Sequence, residues 1–219
     1  MKKIRRCLFF TLLTGIVTVN TNSLHAQDFG ADLYSSYVWR GTQFGSGAHI
    51  QPWMEIGKGS LTGGAWGSFP TTANGGGNEL DLWISYDFGG FALTVTNYTF
   101  PTNDGTYGSG NPGLLDGDWT EISGSTDIGS IGLSVGYFTD AKALYVEAGF
   151  PIGAIDVGVG FGSDGKDPFY AGGDTGIVNL SFGGSKELKI TEEYSLPLSG
   201  AFTYNPKSEA AFLVFGASF

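Results

Sequence analysis

Ala210-Ala211-Phe212-Leu213-Val214-Phe215-Gly216-Ala217-Ser218-Phe219 ends the chain and is read most simply with a period of two. Ala211, Leu213, Phe215, Ala217 and Phe219 then share one face, and Phe212, Val214, Gly216 and Ser218 the other, as in a β-strand whose side chains alternate across the sheet. One face is wholly apolar and the other mixes aromatic, aliphatic and small groups. Working outward from this strand, the same alternation predicts eleven more, near 28–41, 48–58, 61–70, 78–88, 91–100, 118–128, 130–139, 143–151, 154–162, 176–186 and 189–204.

Each segment is close to the roughly 9–11 residues with which a tilted strand crosses a bilayer. Their connections alternate in length. Residues 57–60, 88–90, 128–130 and 151–154 are tight turns built on glycine, whereas 42–48, 71–77, 101–117, 162–175 and 205–209 are longer loops. Short turns on one side and long loops on the other predict an all-β fold: a transmembrane antiparallel up-and-down β-barrel of about twelve strands, with periplasmic turns and extracellular loops. Aromatics gather at two depths, Phe69, Tyr137, Phe161, Phe202 and Tyr204 near the tops and Phe88, Phe150 and Phe219 near the bottoms. A bilayer selects such rings at its two interfaces, which a soluble β-sandwich does not require. In the first strand, taken as continuous to Gly41, Phe29, Ala31, Leu33, Ser35, Tyr37 and Trp39 are expected to point outward. The apolar, Phe-terminated last strand resembles the closing strand of bacterial outer-membrane barrels, which implies that Phe215 and Phe219 form a signal for the outer-membrane assembly machinery.

The opposite end of the chain points to the same address. Lys2, Lys3, Arg5 and Arg6 precede a largely apolar run, 7–19, and Ser23-Leu24-His25-Ala26 offers a cleavage site before Gln27. The run is interrupted by Thr11, Thr14 and Thr18 and is shorter than the about 20 residues of a membrane helix. The expected organisation is a secretory signal peptide, 1–26, and one outer-membrane barrel domain, 27–219, in a Gram-negative bacterium. Cys7 lies inside the apolar run and would leave with it, so disulfide and thiolate chemistry are not expected. Removing four of the 11 basic residues and none of the 21 acidic ones leaves a formal charge of −14. Such a chain does not suit nucleic acid; the expected partners are outer-membrane lipids, the assembly machinery and small solutes, with no cofactor.

Parity places Asp32, Glu55, Glu79, Asp81, Asp87, Glu121, Asp127, Glu147 and Asp156 on the inward face, with Arg40 the clearest inward cation. Facing lipid, a Lys or Arg costs about 2–4 kcal/mol at the midplane, so charges belong in a wet or internally paired interior. Twelve strands fall between the eight of filled barrels and the 16 of aqueous porins. Two readings follow: a passive diffusion pore that an acidic lining makes cation-preferring, or a closed structural or surface-interaction barrel whose carboxylates pair with Arg40 and hydroxyls. Trp53, Trp66 and Trp83 share the inward parity on successive strands. Beside Gln51, Glu79 and Asp81 they could stack on a sugar, or they simply fill the interior. The expected lining is therefore Asp32, Arg40, Gln51, Trp53, Glu55, Trp66, Glu79, Asp81, Trp83, Glu121 and Glu147.

Ser35-Ser36-Tyr37-Val38-Trp39-Arg40-Gly41-Thr42-Gln43 resembles the first-strand motif of the TorF family of inferred porins. Gly64 to Ser68 and Asn78 to Leu82 extend the similarity. The resemblance implies an exported outer-membrane barrel with a channel role and supplies no substrate. Ser36 stands where that family often has Asp, which removes an acidic partner for Arg40.

Other chemistry finds less support. A lipid-modifying barrel enzyme would need a Ser, a His and an orienting carboxylate. With His25 in the signal segment, His49 is the remaining imidazole, and no nucleophile motif surrounds it in sequence. Asn103-Asp104-Gly105, Asp116-Gly117-Asp118 and Ser163-Asp164-Gly165-Lys166-Asp167 offer oxygen ligands to calcium, but without EF-hand spacing, and turn chemistry explains them.

Overall fold

The structure, a computed structural model, describes residues 26–72, 75–101, 119–165, 169–170 and 175–219. Residues 1–25, which hold most of the expected signal peptide, most of the 101–117 loop, and Asp104, Asp116, Asp118 and Asp167 lie outside the described residues.

Fourteen strands follow in chain order: β1 (Ala26–Tyr34), β2 (Tyr37–Trp39), β3 (Thr42–Gly45), β4 (His49–Lys58), β5 (Leu61–Pro70), β6 (Glu79–Asp87) and β7 (Ala92–Thr99). The second half comprises β8 (Trp119–Ile128), β9 (Ile131–Phe138), β10 (Ala143–Ile152), β11 (Ile155–Ser163), β12 (Gly176–Lys189), β13 (Ser195–Asn205) and β14 (Ala210–Ser218). Twelve of them form one closed antiparallel barrel in the order β1-β14-β13-β12-β11-β10-β9-β8-β7-β6-β5-β4, while β2 and β3 pair only with each other. Among the described residues there is no helix.

Alternation decides which way each side chain points, because neighbouring residues must face opposite sides of a pleated sheet. Ile50, Met54 and Ile56 of β4, Ile84 and Tyr86 of β6, Leu93 and Val95 of β7, and Leu213 and Phe215 of β14 are all exposed on the outer wall. The interleaved residues are buried and polar: Gln51, Thr62, Ser68, Glu79, Asp81, Thr96, Glu121, Glu147, Asn179 and Thr203. The barrel is thus a soluble fold turned inside out, apolar outside and polar within. Aromatics flank the aliphatic belt, with Phe69, Tyr137, Phe161 and Phe202 exposed towards one end and Tyr86, Phe88, Phe91 and Phe219 towards the other.

The twelve barrel strands coincide with the twelve expected from sequence, with two corrections. First, β1 stops at Tyr34 rather than continuing to Gly41, and residues expected as strand and loop form the β2–β3 hairpin instead. Tyr37, expected on the outer face, is 2% exposed, and Trp39 packs against Tyr98 and Phe138. Two rings cost less packed among the aromatics of the interior than they would as an unpaired strand extension. Second, β12 runs on to Lys189 and the chain reverses through Ile190 to Tyr194, closed by bonds from the Ile190 and Thr191 amides to the Tyr194 carbonyl. The join expected between 186 and 189 is instead paired strand, Lys186 facing Leu198 and Lys189 facing Ser195. β11 pairs with β12 only as far as Gly183, so this hairpin projects beyond the short-turn end.

The many glycines have a packing role. A Cβ on Gly64 would stand 2.7 Å from the Trp83 ring, on Gly30 2.8 Å from Trp53, and on Gly216 2.2 Å from Tyr34. Each large inward side chain leans over the neighbouring strand where that strand has no side chain. The last pair crosses the seam between β1 and β14, where Asp32, Leu33 and Tyr34 face Ser218, Ala217 and Gly216 and backbone bonds Ala31–Phe219 and Ser35–Phe215 extend the pairing at either end.

Candidate functional site in the barrel lumen

Arg40 and Gly41 link β2 to β3 with φ of 47° and 79°. Two positive φ values in a two-residue loop mark the type I′ hairpin turn, whose twist matches that of its strands. Gly41 is required twice over, since a Cβ there would also lie 1.8 Å from the Val178 carbonyl oxygen of β12. The tip of the hairpin is thus pressed against the far wall, where Asn205 Nδ2 donates to the Gly41 carbonyl at 3.2 Å. At its base, Ser36 Oγ donates to the Gly45 carbonyl at 2.7 Å and accepts from Gln43 Nε2 at 2.8 Å.

The hairpin delivers one cation and one phenol into the lumen. Arg40 Nη1 donates to Glu121 Oε1 at 2.6 Å, and its guanidinium lies 4.3 Å from the ring centres of both Trp39 and Tyr145. Tyr37 Oη donates to Glu79 Oε2 at 2.7 Å, and its ring packs 5.6 Å from that of Trp66. The wall repeats the phenol–carboxylate pairing: Tyr98 Oη donates to Glu121 Oε2 at 2.8 Å, and Tyr145 Oη donates to Glu147. Asn179 Nδ2 adds a bond to Glu147 Oε2 at 3.0 Å. Hydrogen bonds to ionised groups are the stronger kind, and they offset part of the cost of taking carboxylates out of water. Asp81 is 0% exposed and, among the described residues, receives no N–H or hydroxyl donor; its polar neighbour is the Glu79 carboxyl. Tyr37→Phe keeps the ring and removes the donor to Glu79. It should lower stability by about 1–3 kcal/mol, measured as a fall in the urea midpoint of the folded, heat-modifiable species.

The expected lining residues divide into distinct environments. Glu79, Asp81, Glu121, Glu147 and Gln51 are buried together with the hairpin, and Arg40 joins them from its turn rather than from a barrel strand. Asp32 and Glu55 are half-buried: Asp32 is at the seam opposite Ser218, and Glu55 is opposite Asp28 near the short turns. The three tryptophans face inward, yet no ring contact joins them. Trp66, 7% exposed, packs on Tyr37, whereas Trp53 and Trp83 are half-buried and lean over Gly30 and Gly64. Their geometry is that of wall filling. Phe215 and Phe219 lie exposed on the outer wall.

Sequence reading missed Tyr98, Tyr145 and Asn179, although Tyr145 and Glu147 are two apart and share a face by parity. It also missed Ser68. His49 is 0% exposed, with Nδ1 2.9 Å from Ser68 Oγ. Among the described residues its Nε2 has no hydrogen-bond partner. Among the described residues no cluster of three His, Cys, Asp or Glu side chains could hold a metal ion.

One cavity of about 20 Å³ lies between the hairpin and the wall, and one of about 10 Å³ below it, each with room for about one water. Comparison with protein-family models and with curated proteins found no match to this chain.

Proposed function

We propose that the protein is an outer-membrane channel through which small solutes diffuse, cations in preference, and that the β2–β3 hairpin closes its outer mouth. Support for the membrane comes from the barrel's outer wall, where Ile, Leu, Val and Phe side chains are exposed on strand after strand. In water, so much contiguous apolar surface would drive association; hydrocarbon is its natural solvent, and a closed barrel leaves no backbone group unpaired there.

The observation that carries the channel reading is the charge imbalance inside. Glu79, Asp81, Glu121 and Glu147 are buried in a lumen that holds one guanidinium, and among the described residues Asp81 meets no N–H or hydroxyl donor, only the neighbouring Glu79 carboxyl. A barrel that needed only filling would be as stable, or more so, with apolar side chains at these positions. Excess buried carboxylate makes sense where it acts on something mobile, and its field favours cations. The packed hairpin and the small cavities favour a second reading, a permanently closed barrel that acts through its external loops.

Reconstitution into a planar bilayer across a salt gradient separates the two. The channel reading expects unitary conductance from the wild type or from a hairpin-releasing variant. Its reversal potential should lie on the cation side and move towards zero in Asp81→Asn. Silence from both proteins, with folding verified by heat-modifiable gel migration, would establish the closed barrel.

A further inference from the structure

The lumen is uneven. On the β4–β6 side, Trp53, Trp66 and Trp83 fill the wall and Tyr37 of the hairpin packs against Trp66. On the β11–β13 side most inward residues are small, Gly158, Gly160, Ser181, Gly183, Ala201 and Thr203, while β14 adds Phe212 and Val214. The lower described cavity lies on this second side, and the upper one reaches from it to Tyr34 of β1 and Gln51 of β4. The upper is bounded by Val38, Arg40 and Gly41 of the hairpin and by Asn179, Ser181 and Ala201. The lower is bounded by Glu147, Asp156, Gly158, Gly183 and the same Ser181 and Ala201. The two are therefore consecutive, meeting at Ser181 and Ala201, and together they run from near the short-turn end to the tip of the hairpin.

We infer that the transport path is not central but follows the β11–β13 wall, that Ser181 and Ala201 form its constriction, and that its occupants are small inorganic cations with their water. This rests on the channel reading and adds to it where the solute passes and what coordinates it. The polar groups along the path are oxygens. Asp156 and Glu147 bound the lower cavity. Asn179 beside the upper one is 5% exposed and keeps its Oδ1 without a hydrogen bond. Oxygen ligands of this kind suit hard cations. An amide oxygen in a cavity of about 20 Å³ can replace one water of a cation's shell, whereas a sugar ring does not fit. The hairpin turn stands at the exit, so displacing Arg40 and Gly41 widens the upper cavity without moving the barrel wall. The tryptophan wall acts as scaffold.

The test is thiol modification in planar bilayers, in the Arg40→Ala background that frees the hairpin, using a cationic methanethiosulfonate reagent. Unsubstituted channels treated identically account for Cys7. Ser181→Cys should lose at least half its conductance on modification, with Ala201→Cys as the second variant should the first fail to fold. Ser85→Cys, inward on β6 below Trp83, should change little. A drop at Ser85 with none at Ser181 or Ala201 would put the path on the tryptophan side, and equal drops would make it central. Either result overturns the inference while leaving the channel intact. A silent Arg40→Ala protein that is demonstrably folded would overturn the channel reading itself, and the path with it.

Discussion

Arg40→Ala is expected to turn an occluded barrel into a conducting one while destabilising it by about 3–5 kcal/mol, the usual cost of removing one partner of a buried ion pair. Glu121 would lose the donor at 2.6 Å and keep only the Tyr98 hydroxyl. The hairpin would lose both cation–π contacts at 4.3 Å, each worth about 0.5–2 kcal/mol depending on desolvation. What remains at the tip is the Asn205 bond to the Gly41 carbonyl, and at the flank the Tyr37 bond to Glu79. The neutral Asn205 bond contributes about 0.5–1.5 kcal/mol and the Tyr37 bond to a carboxylate about 1.5–3 kcal/mol, and only the first acts at the turn, which an uncompensated carboxylate then faces. Arg40→Lys should fall between wild type and alanine, because an ammonium keeps the charge but not the planar stacking on Trp39 and Tyr145. The measurements are single-channel conductance and thermal unfolding of the same preparations. An Arg40→Ala protein as stable as wild type would show that the ion pair does not hold the hairpin, and one that is folded and as silent as wild type would favour the closed barrel.

Gly216→Val should abolish closure of the barrel in a large fraction of the chains. A Cβ at this position would lie 2.2 and 2.4 Å from two carbons of the Tyr34 ring and 2.7 Å from Ser199 Oγ, so the ring must leave its place or β14 must retreat. Overpacking generally costs about 1–3 kcal/mol, an amount most strands would absorb. This one closes the barrel along a short seam, Ala31 to Ser35 against Phe215 to Phe219, whereas nine residue pairs join β1 to β4. The readout is loss of the compact, heat-modifiable band on gels. Tyr34→Ala in the same chain should restore much of it, giving a coupling of about 0.5–3 kcal/mol in a double-mutant cycle. Absence of rescue would mean that the valine acts through the backbone of β14 rather than through the ring.

The strands were legible in the sequence because alternation is imposed by the two media a barrel wall separates. Ala211 to Phe219 and Leu80 to Phe88 need no partner to be read. The inward hairpin was not, because period two does not distinguish a strand that continues from one that turns back. Tyr37 and Trp39 hold the outward parity of β1 while belonging to the interior. The available signal was Arg40-Gly41 between two short β-prone runs, a turn pair in the middle of what alternation reads as one strand. The reversal at 190–194 escaped for the opposite reason: Thr191-Glu192-Glu193 contains no glycine to mark it. For the lumen, parity indicated which carboxylates face inward, but pairing is a matter of register. Nothing in the sequence says that Tyr37 meets Glu79 across 42 positions, or that Trp83 lies over Gly64.

The hairpin's position also constrains the order in which the molecule is made. It is tethered at both ends to neighbouring staves, β1 and β4, and its tip reaches a residue 164 positions later. Glu121, Val178 and Asn205, which receive it, belong to strands that exist only once most of the chain has been synthesised. A completed cylinder could be entered only from its rim, past the aromatic cluster of Trp119, Phe138 and Phe169. An open, curled sheet presents the same receptors from the side. Closure between β1 and β14 is then the step that seals the tongue in place.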